Sequence, residues 1–437
     1  MAPESLPTGW QLAKLGELGE VNRGRSRHRP RYAEHLYGGP YPFVQTGDIK
    51  NSGGRITTFQ QTYSEAGLAQ SRMWPKGTMC ITIAANIAET AILGFPACFP
   101  DSVVGFIADE TKCDVNFIEY TFRYLKQKIQ HEASGSVQDN INLATLERLR
   151  FPIPPLPEQR AIARILGTLD EKIELNRGIN ATLEAIARAL FKSWFVDFDP
   201  ARAKAEGRDL GLPKHLADLF PNRLVDSELG EIPEGWPARL LGEVLEESNE
   251  RVGSVEAPEY SSTNEGLQLR ADRFTKKLAH SSANNKLIRK GYMVFGLSRR
   301  VLNFGLMRRE IGSVSAAYKV FAVDDSAIEP DLLERVMRIR SNYFYNAVSA
   351  GSREGQSIAS DALGLLRFVQ PSAAAQRAYY RVTAGRQPRL AALQAESGIL
   401  AALRDTLLPK LISGELRVKD TEQLLSKMLL KSSGVRP

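Results

Sequence analysis

Pro157-Glu-Gln-Arg-Ala-Ile162 opens a run in which Ile162, Leu166, Leu169, Ile173, Asn176, Asn180, Leu183, Ala187, Leu190 and Trp194 recur at spacings of four and three. A 4-3 spacing held over that length is a heptad, and it predicts one long helix packed in a coiled coil. Pro154-Pro155-Leu-Pro157 closes the segment before it, and Pro157 suits a first helical turn, where a missing N–H costs nothing. Asn176 and Asn180 fall inside the seam, and two readings stand: buried amides that fix register at some cost in stability, or a locally wet gap. Shifting the seam by 217 residues lands on Tyr379, Thr383, Arg386, Leu390, Leu393, Ser397, Leu400, Arg404, Leu407 and Leu411. This second helix is weaker, and Pro388 predicts a break or kink that puts its better portion from about Arg389 onward.

The shift works because the chain repeats itself. Pro7-Thr-Gly9-Trp10 with Leu15-Gly16-Glu17 returns 226 residues later as Pro233-Glu-Gly235-Trp236 with Leu241-Gly242-Glu243. Lys76-Gly77-Thr-Met79 matches Lys290-Gly291-Tyr-Met293, and Gly135-Ser136 matches Gly351-Ser352. Leu149-Arg150-Phe151 matches Leu366-Arg367-Phe368, and Gln159-Arg160-Ala161 matches Gln376-Arg377-Ala378. The offsets drift between 214 and 226, as loop insertions would cause, and the order is kept throughout. Solenoid units run at about 20 to 50 residues, so this period is duplication of a whole domain-plus-helix half. The first part of each half, near 1–150 and 228–370, is mixed, with β-rich runs such as Met79-Cys-Ile-Thr-Ile-Ala84 and Tyr318-Lys-Val-Phe-Ala-Val323 between Gly-rich turns. Residues 199–232 carry Pro, Gly and charge without periodicity and read as an ordered crossover loop.

Length and composition agree with this division. The chain has 437 residues, 43% hydrophobic and 24% charged, enough for two or three domains and unlike collagenous or disordered chains. Cys80, Cys98 and Cys113 form no metal-spaced set and read as reduced, buried thiols. The N-terminal segment lacks a basic-then-apolar leader pattern, and no stretch is apolar over the ~18 residues of a membrane span, so a cytoplasmic protein is expected.

Catalytic signatures are missing from the sequence. There is no phosphate-cradling Gly-rich motif, no Asn-Pro-Pro-aromatic signature of an amino-methylating enzyme, no nucleophile elbow, and His28, His35, His131, His215 and His280 are scattered. One candidate remains as an alternative function. Pro100-Asp101 followed by Glu110-Thr-Lys112 resembles the PD…ExK pattern of Mg²⁺-dependent nucleases, in which two carboxylates hold the metal and a lysine assists water. The second half does not reproduce it near Val323-Asp-Asp-Ser326, and a solvated turn is the competing reading.

Charge is more informative. The formal charge is +7, yet residues 270–309 hold eleven basic residues (Arg270, Arg273, Lys276, Lys277, Lys286, Arg289, Lys290, Arg299, Arg300, Arg308, Arg309) against Asp272 alone. Arg23, Arg25, Arg27, Arg29 and Arg31 form a second cluster, without acids, and the remainder of the chain is net negative. Local arginine interleaved with polar and aromatic residues suits phosphate neutralisation and contacts to base edges, with a solvated basic face as the alternative. A membrane surface fits less well, since no basic amphipathic helix is visible. Residues 247–257, which align with 21–31, are not basic, so two copies of one scaffold would present different surfaces to two different short DNA sequences. Charge and loop position give the candidate DNA-binding residues Arg23, Arg25, Arg27, Arg29, Arg31, Arg72, Lys76, Arg270, Arg273, Lys276, Lys277, Arg299, Arg300, Arg308, Arg309 and Arg353.

The Pro-x-Gly-Trp…Leu-Gly-Glu openings, Phe151-Pro-Ile-Pro-Pro-Leu-Pro-Glu-Gln-Arg160, Phe191-Lys-Ser-Trp-Phe-Val-Asp-Phe-Asp-Pro200 and Leu408-Pro-Lys-Leu-Ile-Ser-Gly-Glu-Leu416 together resemble the specificity subunit of a type I restriction-modification enzyme, over essentially the whole chain. The resemblance implies an α+β chain with a pseudo-two-fold internal repeat: two mixed β-rich target-recognition domains separated by an antiparallel pair of long coiled-coil helices. On that plan the domains are 1–153 (recognition domain 1), 154–198 (central helix), 199–232 (crossover), 233–371 (recognition domain 2), 372–416 (C-terminal helix) and 417–437 (tail). It also implies a non-catalytic subunit that reads a split site on double-stranded DNA and scaffolds two methyltransferase subunits, which translocating restriction subunits can join. S-adenosylmethionine, ATP and Mg²⁺ would then belong to the partners, and this chain would hold no cofactor or metal of its own. Phe191, Trp194 and Phe195 are the candidate partner-docking cluster, with burial against the crossover as the other reading. A seam from Pro157 to Asp197 spans about 60 Å at 1.5 Å per residue, enough for a ruler between two readers. The remaining reading is a structural coiled-coil protein with no nucleic-acid role.

Overall fold

The computed structural model describes residues 6–28, 30, 32–84, 87–134, 143–272, 283–298, 301–344 and 360–421. Contacts divide the chain into two compact units, residues 1–178 with 392–437, and residues 179–391. Each unit takes in a globular part and portions of two long helices, so neither is continuous with a simple N- or C-terminal half.

Unit 1 is built on a five-stranded sheet in the order Gly19–Arg23, Val103–Ala108, Met79–Thr82, Thr90–Leu93, Arg55–Ile56. The first four strands pair antiparallel and the last is parallel to its neighbour. Met79–Thr82 and Thr90–Leu93 are buried along their whole length, which is why they read as unbroken apolar runs and not as alternating ones. Helix Val115–Ser134 covers the sheet through Phe117, Ile118 and Phe122, all fully buried.

Unit 2 keeps the same central order: Leu245–Glu247, Lys319–Val323, Tyr292–Ser298, Val301–Leu306, antiparallel throughout. A second, separate four-stranded sheet has the order Gly266–Leu269, Glu259–Thr263, Ile311–Val314, Lys286–Arg289, its strands interleaved in sequence with those of the first. Lys319–Val323 is therefore the counterpart of Val103–Ala108 in sheet order, whereas Met79–Thr82 corresponds to Tyr292–Ser298.

The repeated motifs have repeated geometry. In Pro7-Thr-Gly9-Trp10 the Trp10 N–H donates to Pro7 O at 3.0 Å with Gly9 at φ +86°, and in Pro233-Glu-Gly235-Trp236 the Trp236 N–H donates to Pro233 O at 3.0 Å with Gly235 at φ +81°. A positive φ at the third position of a turn favours glycine, so the motif is a backbone requirement. Each turn delivers a short strand, and each strand pairs antiparallel with the one that leads into the helical region: Gln11–Ala13 with Phe151–Ile153, and Ala238–Leu240 with Arg367–Val369. Gln159 and Gln376 then sit in the same role, each donating to a proline carbonyl (Pro154 O and Pro371 O, both 2.9 Å) and each accepting a backbone N–H (Asp114 and Glu329).

The heptad forms one helix, Leu156–Phe195. In unit 1, Ile162, Leu166, Leu169, Leu407, Leu408, Leu411 and Ile412 are buried in a single cluster. The pairs Asp170–Arg404 and Asn176–Ser397 show that the two helices run antiparallel there. The second helical region is divided into Ala373–Thr383 and Arg386–Ser413. Its break falls at Ala384–Gly385, ahead of Pro388, which lies in the first turn of the following helix and deprives no carbonyl of a partner; the expected start near Arg389 moves to Arg386 for that reason. Pro409 is inside the same helix, and Asp405, whose carbonyl loses its donor there, is solvent-exposed.

The crossover 199–232 is ordered, with helices Asp199–Ala205 and Lys214–Ala217 and the hairpin strand Leu224–Ser227, which pairs with Gly230–Pro233. Phe151 and Phe368, the matching phenylalanines of the two Leu-Arg-Phe motifs, are 0% and 1% exposed. Truncating either, Phe151→Ala or Phe368→Ala, is expected to cost about 3–5 kcal/mol, read as a lowered midpoint in urea unfolding, since each fills space where its sheet meets the helix entry.

Candidate nucleic-acid interface

The arginine run after strand Gly19–Arg23 is fixed at several backbone points. Gly24 and Arg25 donate backbone N–H bonds to Val103 O (2.8 Å) and Phe99 O (3.2 Å). Ser71 Oγ donates to Arg25 O at 2.9 Å, and the His28 N–H donates to Gln70 Oε1 at 2.8 Å. Gly24 lies so close to Phe99 and Pro100 that a Cβ would strike the Pro100 carbonyl. The backbone is thereby pressed onto the domain while Arg23, Arg25 and Arg27 point out, exposed and without an ion-pair partner among the described residues. Lys76, in the turn before Met79–Thr82, is likewise exposed. Arg29 and Arg31 lie outside the described residues.

Arg72 does not join them. It pairs with Glu20 at 2.8 Å, lies 4.0 Å from the Trp74 ring centroid, and its hydrogen bond holds the Glu20 carboxyl below the usual range. It is a paired cation that braces the strand, unlike Arg23, Arg25 and Arg27.

The basic run of unit 2 changes character once paired. Arg289 meets Glu250 at 2.7 Å, Lys290 meets Glu310 at 3.1 Å, and Arg270 reaches Glu259 at 3.7 Å and Ser261 at 3.2 Å. Arg308 is shared by Asp331 (2.8 Å) and Glu334 (2.5 Å). Lys286 is 4% exposed, and burial lowers its pKa. Of the run's described members only Arg309 is exposed without an ion-pair partner among the described residues; Arg270 and Arg308 are held in ion pairs, with the Arg308 side chain still exposed. Arg273, Lys276, Lys277, Arg299, Arg300 and Arg353 lie outside the described residues.

Phe191, Trp194 and Phe195 are corrected as well. They are 1–2% exposed in the core of unit 2, against Phe220 of the crossover, Trp236 and Tyr379. The Tyr379 hydroxyl donates to Ala187 O at 3.2 Å, closing the cluster. The crossover reading holds, and no part of the trio is free to dock a partner.

The nuclease set fails on geometry. Asp101 precedes the six-residue strand Val103–Ala108 and Glu110 follows it, which separates them by about 20 Å at 3.3 Å per residue. Lys112 pairs with Asp109 at 3.0 Å instead. Among the described residues no group of His, Cys, Asp and Glu is placed to hold a metal ion. No helix of the described residues is long and apolar enough to cross a membrane.

Two devices were absent from the sequence reading. Buried Glu119 (3%) and Glu334 (2%) occupy equivalent places on helices Val115–Ser134 and Pro330–Ile339, each ion-paired to the arginine four residues on, Arg123 at 2.9 Å and Arg338 at 2.7 Å. Each arginine also donates to the backbone of a turn, Gly53 O and Asn264 O, both at 3.1 Å. Burial raises the Glu119 pKa, against the pull of Arg123. The chain's self-comparison carried this signal, because Glu-x-x-x-Arg recurs at an offset of 215. In unit 1 a cleft of about 670 Å³ opens between this turn and the long helix, lined by Lys50, Arg55, Tyr120, Arg123, Asp170 and Arg177 among others.

Residues 7–185 match the family described as type I restriction modification DNA specificity domain. The chain is 25% identical to the type I restriction enzyme MjaIX specificity subunit of Methanocaldococcus jannaschii over 95% of both chains. It is 43% identical to the HindI specificity subunit of Haemophilus influenzae, over 26% of this chain and 24% of that one. Its fold is similar to the crystal structure of the type I restriction-modification S subunit from M. genitalium, with a TM-score of 0.54, 16% identity, and coverage of 94% and 97%. The family match over residues 7–185, the relative aligned along nearly the whole chain, and the duplicated domain-plus-helix scaffold agree: the first part of the chain matches the type I restriction-modification DNA specificity domain, and the chain as a whole is similar to specificity subunits of that type.

Proposed function

We propose that this chain reads a two-part DNA sequence for a type I restriction-modification assembly and performs no chemistry itself. The observation that carries the reading is one scaffold built twice with different exposed surfaces: Arg23, Arg25, Arg27 and Lys76 on unit 1, and Arg309 on unit 2. Recognition domains 1–153 and 233–371 would each contact phosphates and base edges of one half-site, with the long helices 154–198 and 372–416 between them. Arginine suits both tasks, as a counterion-releasing charge and as a bidentate donor to guanine. Arg29, Arg31, Arg273, Lys276, Lys277, Arg299, Arg300 and Arg353 belong to the same proposal on charge alone.

The partners follow from the family: two methyltransferase subunits that bring S-adenosylmethionine to an adenine, and restriction subunits that bring ATP and Mg²⁺, in the cytoplasm. With Phe191, Trp194 and Phe195 buried, docking falls to apolar residues that the helices leave exposed, Leu175 (57%) and Ile399 (69%) in unit 1 and Ile186 (52%) and Val382 (49%) in unit 2. These lie on ordered helices, where an apolar side chain gains by being covered.

Replacing residues 233–371 by those of a relative with another target is expected to change one half of the methylated site and keep the other, read by methylome sequencing; a change in both halves, or in neither, overturns the reading. The triple variant Arg23→Ala/Arg25→Ala/Arg27→Ala should weaken duplex binding and reduce the slope of log affinity against log salt by about 2 to 3, as three lost phosphate contacts require. Ile399→Asp should lower co-purification of the methyltransferase subunit while the chain alone keeps its thermal unfolding midpoint, because the residue is already in water.

A further inference from the structure

The ion network of unit 1 continues past Glu119 in a way that has no counterpart among the described residues of unit 2. Arg123, besides holding Glu119 and Gly53 O, donates through Nη1 to Asp170 Oδ2 at 3.2 Å. Asp170 is on the first long helix. Its Oδ2 also accepts from the Tyr120 hydroxyl at 2.8 Å, and its Oδ1 accepts from Arg404 Nη1 of the second long helix at 2.6 Å. One carboxylate on the first long helix thus accepts from three side chains on two other elements: Tyr120 and Arg123 from the helix of the recognition domain, and Arg404 from the second long helix. Its side chain is 20% exposed, and those of Arg123 and Arg404 are 25% and 22%.

The surroundings make this tie matter. The cleft of about 670 Å³ lies beside it, lined by Gly53, Gly54 and Arg55 on the domain side and by Ile173, Leu175 and Gly178 on the helix side. Along that stretch the domain and the helix leave open space, so beyond the apolar core that Leu166 and Leu169 share with Phe117 and Tyr120 it is the charges that join them. Unit 2 has Gln387 at the position equivalent to Asp170, and Arg338 turns instead to Phe304 O at 3.1 Å. There the domain is joined to its helices by aromatic packing, with Trp194, Phe195, Trp236 and Tyr379 in mutual ring contact.

We propose that Asp170, held between Arg123, Tyr120 and Arg404, is a positioning residue that fixes recognition domain 1 on the helix pair and thereby sets the number of base pairs tolerated between the two half-sites. The inference rests on the two-reader function proposed above. Base choice stays with the surface of each domain; Asp170 governs where the first domain is held. A charge-assisted contact to two arginines at once has both direction and strength, which an apolar contact of the same size lacks.

The test uses the full chain with its co-purifying methyltransferase subunits and a library of random duplexes. Bound duplexes are sequenced, and the readout is the distance between the two enriched motifs. The wild type should give two motifs at one distance. Asp170→Asn, which keeps the shape and loses the charge, should keep both motifs and raise the share of duplexes with a spacer one base pair longer or shorter by about tenfold, the effect of losing a hydrogen bond to a charged partner. Arg404→Gln, which leaves Asp170 its bonds to Tyr120 and Arg123, should shift the distribution the same way, and it decides the question if Asp170→Asn does not fold. A single unchanged distance in the folded variants, or loss of the first motif itself, overturns the clamp. A wild type that enriches no pair of motifs overturns the two-reader function and the clamp with it, so the two failures are told apart by the wild-type arm.

Discussion

Polar residues placed in a coiled-coil seam must find one another or leave buried groups unpaired, and the helical part of unit 1 is arranged around that constraint. Asn176 is fully buried, and its Nδ2 donates to Glu396 Oε2 at 2.8 Å and lies 3.4 Å from Ser397 Oγ. Asp170 meets Arg404 two turns below. Sliding either helix by one residue would part both pairs and bury their charges or amides without partners, at a cost of several kcal/mol per broken charged pair. Apolar leucines would tolerate such a slip far better, so the polar positions fix the register. For Asn176 the two contacts made by Nδ2 favour a register pin, while its Oδ1, like that of Asn180, is buried with no partner among the described residues.

The duplication separates what both readers must share from what they must not. Shared are the turn at Gly9 and Gly235, the strand pair at the helix entry, the glutamine that ties proline carbonyl to helix N-terminus, and the buried glutamate–arginine pair. All of these sit inside or at the junction with the helices. Exposed charge has diverged: unit 1 projects Arg23, Arg25 and Arg27 from an anchored backbone, whereas unit 2 spends most of the described basic residues of its 270–309 run on Glu250, Glu259, Glu310, Asp331 and Glu334. A scaffold conserved within the chain and a surface that differs between copies is the pattern that two readers of different sequences require.

Much of this was legible in the residues because the signals were periodic or local. The heptad placed the first helix to within two or three residues, and the 217-residue shift placed the second seam, including Arg404, whose partner Asp170 explains a polar residue that looked like a weakness. What could not be read depended on pairing across distance. Counting charge over 270–309 could not foresee that Arg308 would be claimed by Asp331 and Glu334, more than twenty residues on. Phe191, Trp194 and Phe195 look like a docking patch on an isolated helix, and only the return of Phe220 and Trp236 over them makes them core. Pro388 breaks a helix only if the helix has already begun, and the break at Ala384–Gly385 moved the start.

The central claim is that two copies of one scaffold read two separate stretches of the same duplex. Placing a photo-cross-linking side chain at Arg25 in one preparation and at Arg309 in another, each in the chain assembled with its methyltransferase subunits on target DNA, tests it most directly. The account predicts cross-links to two different segments of the duplex, one per position, with unlabelled base pairs between them. Cross-links from both positions to the same segment, or from one position only, would contradict it.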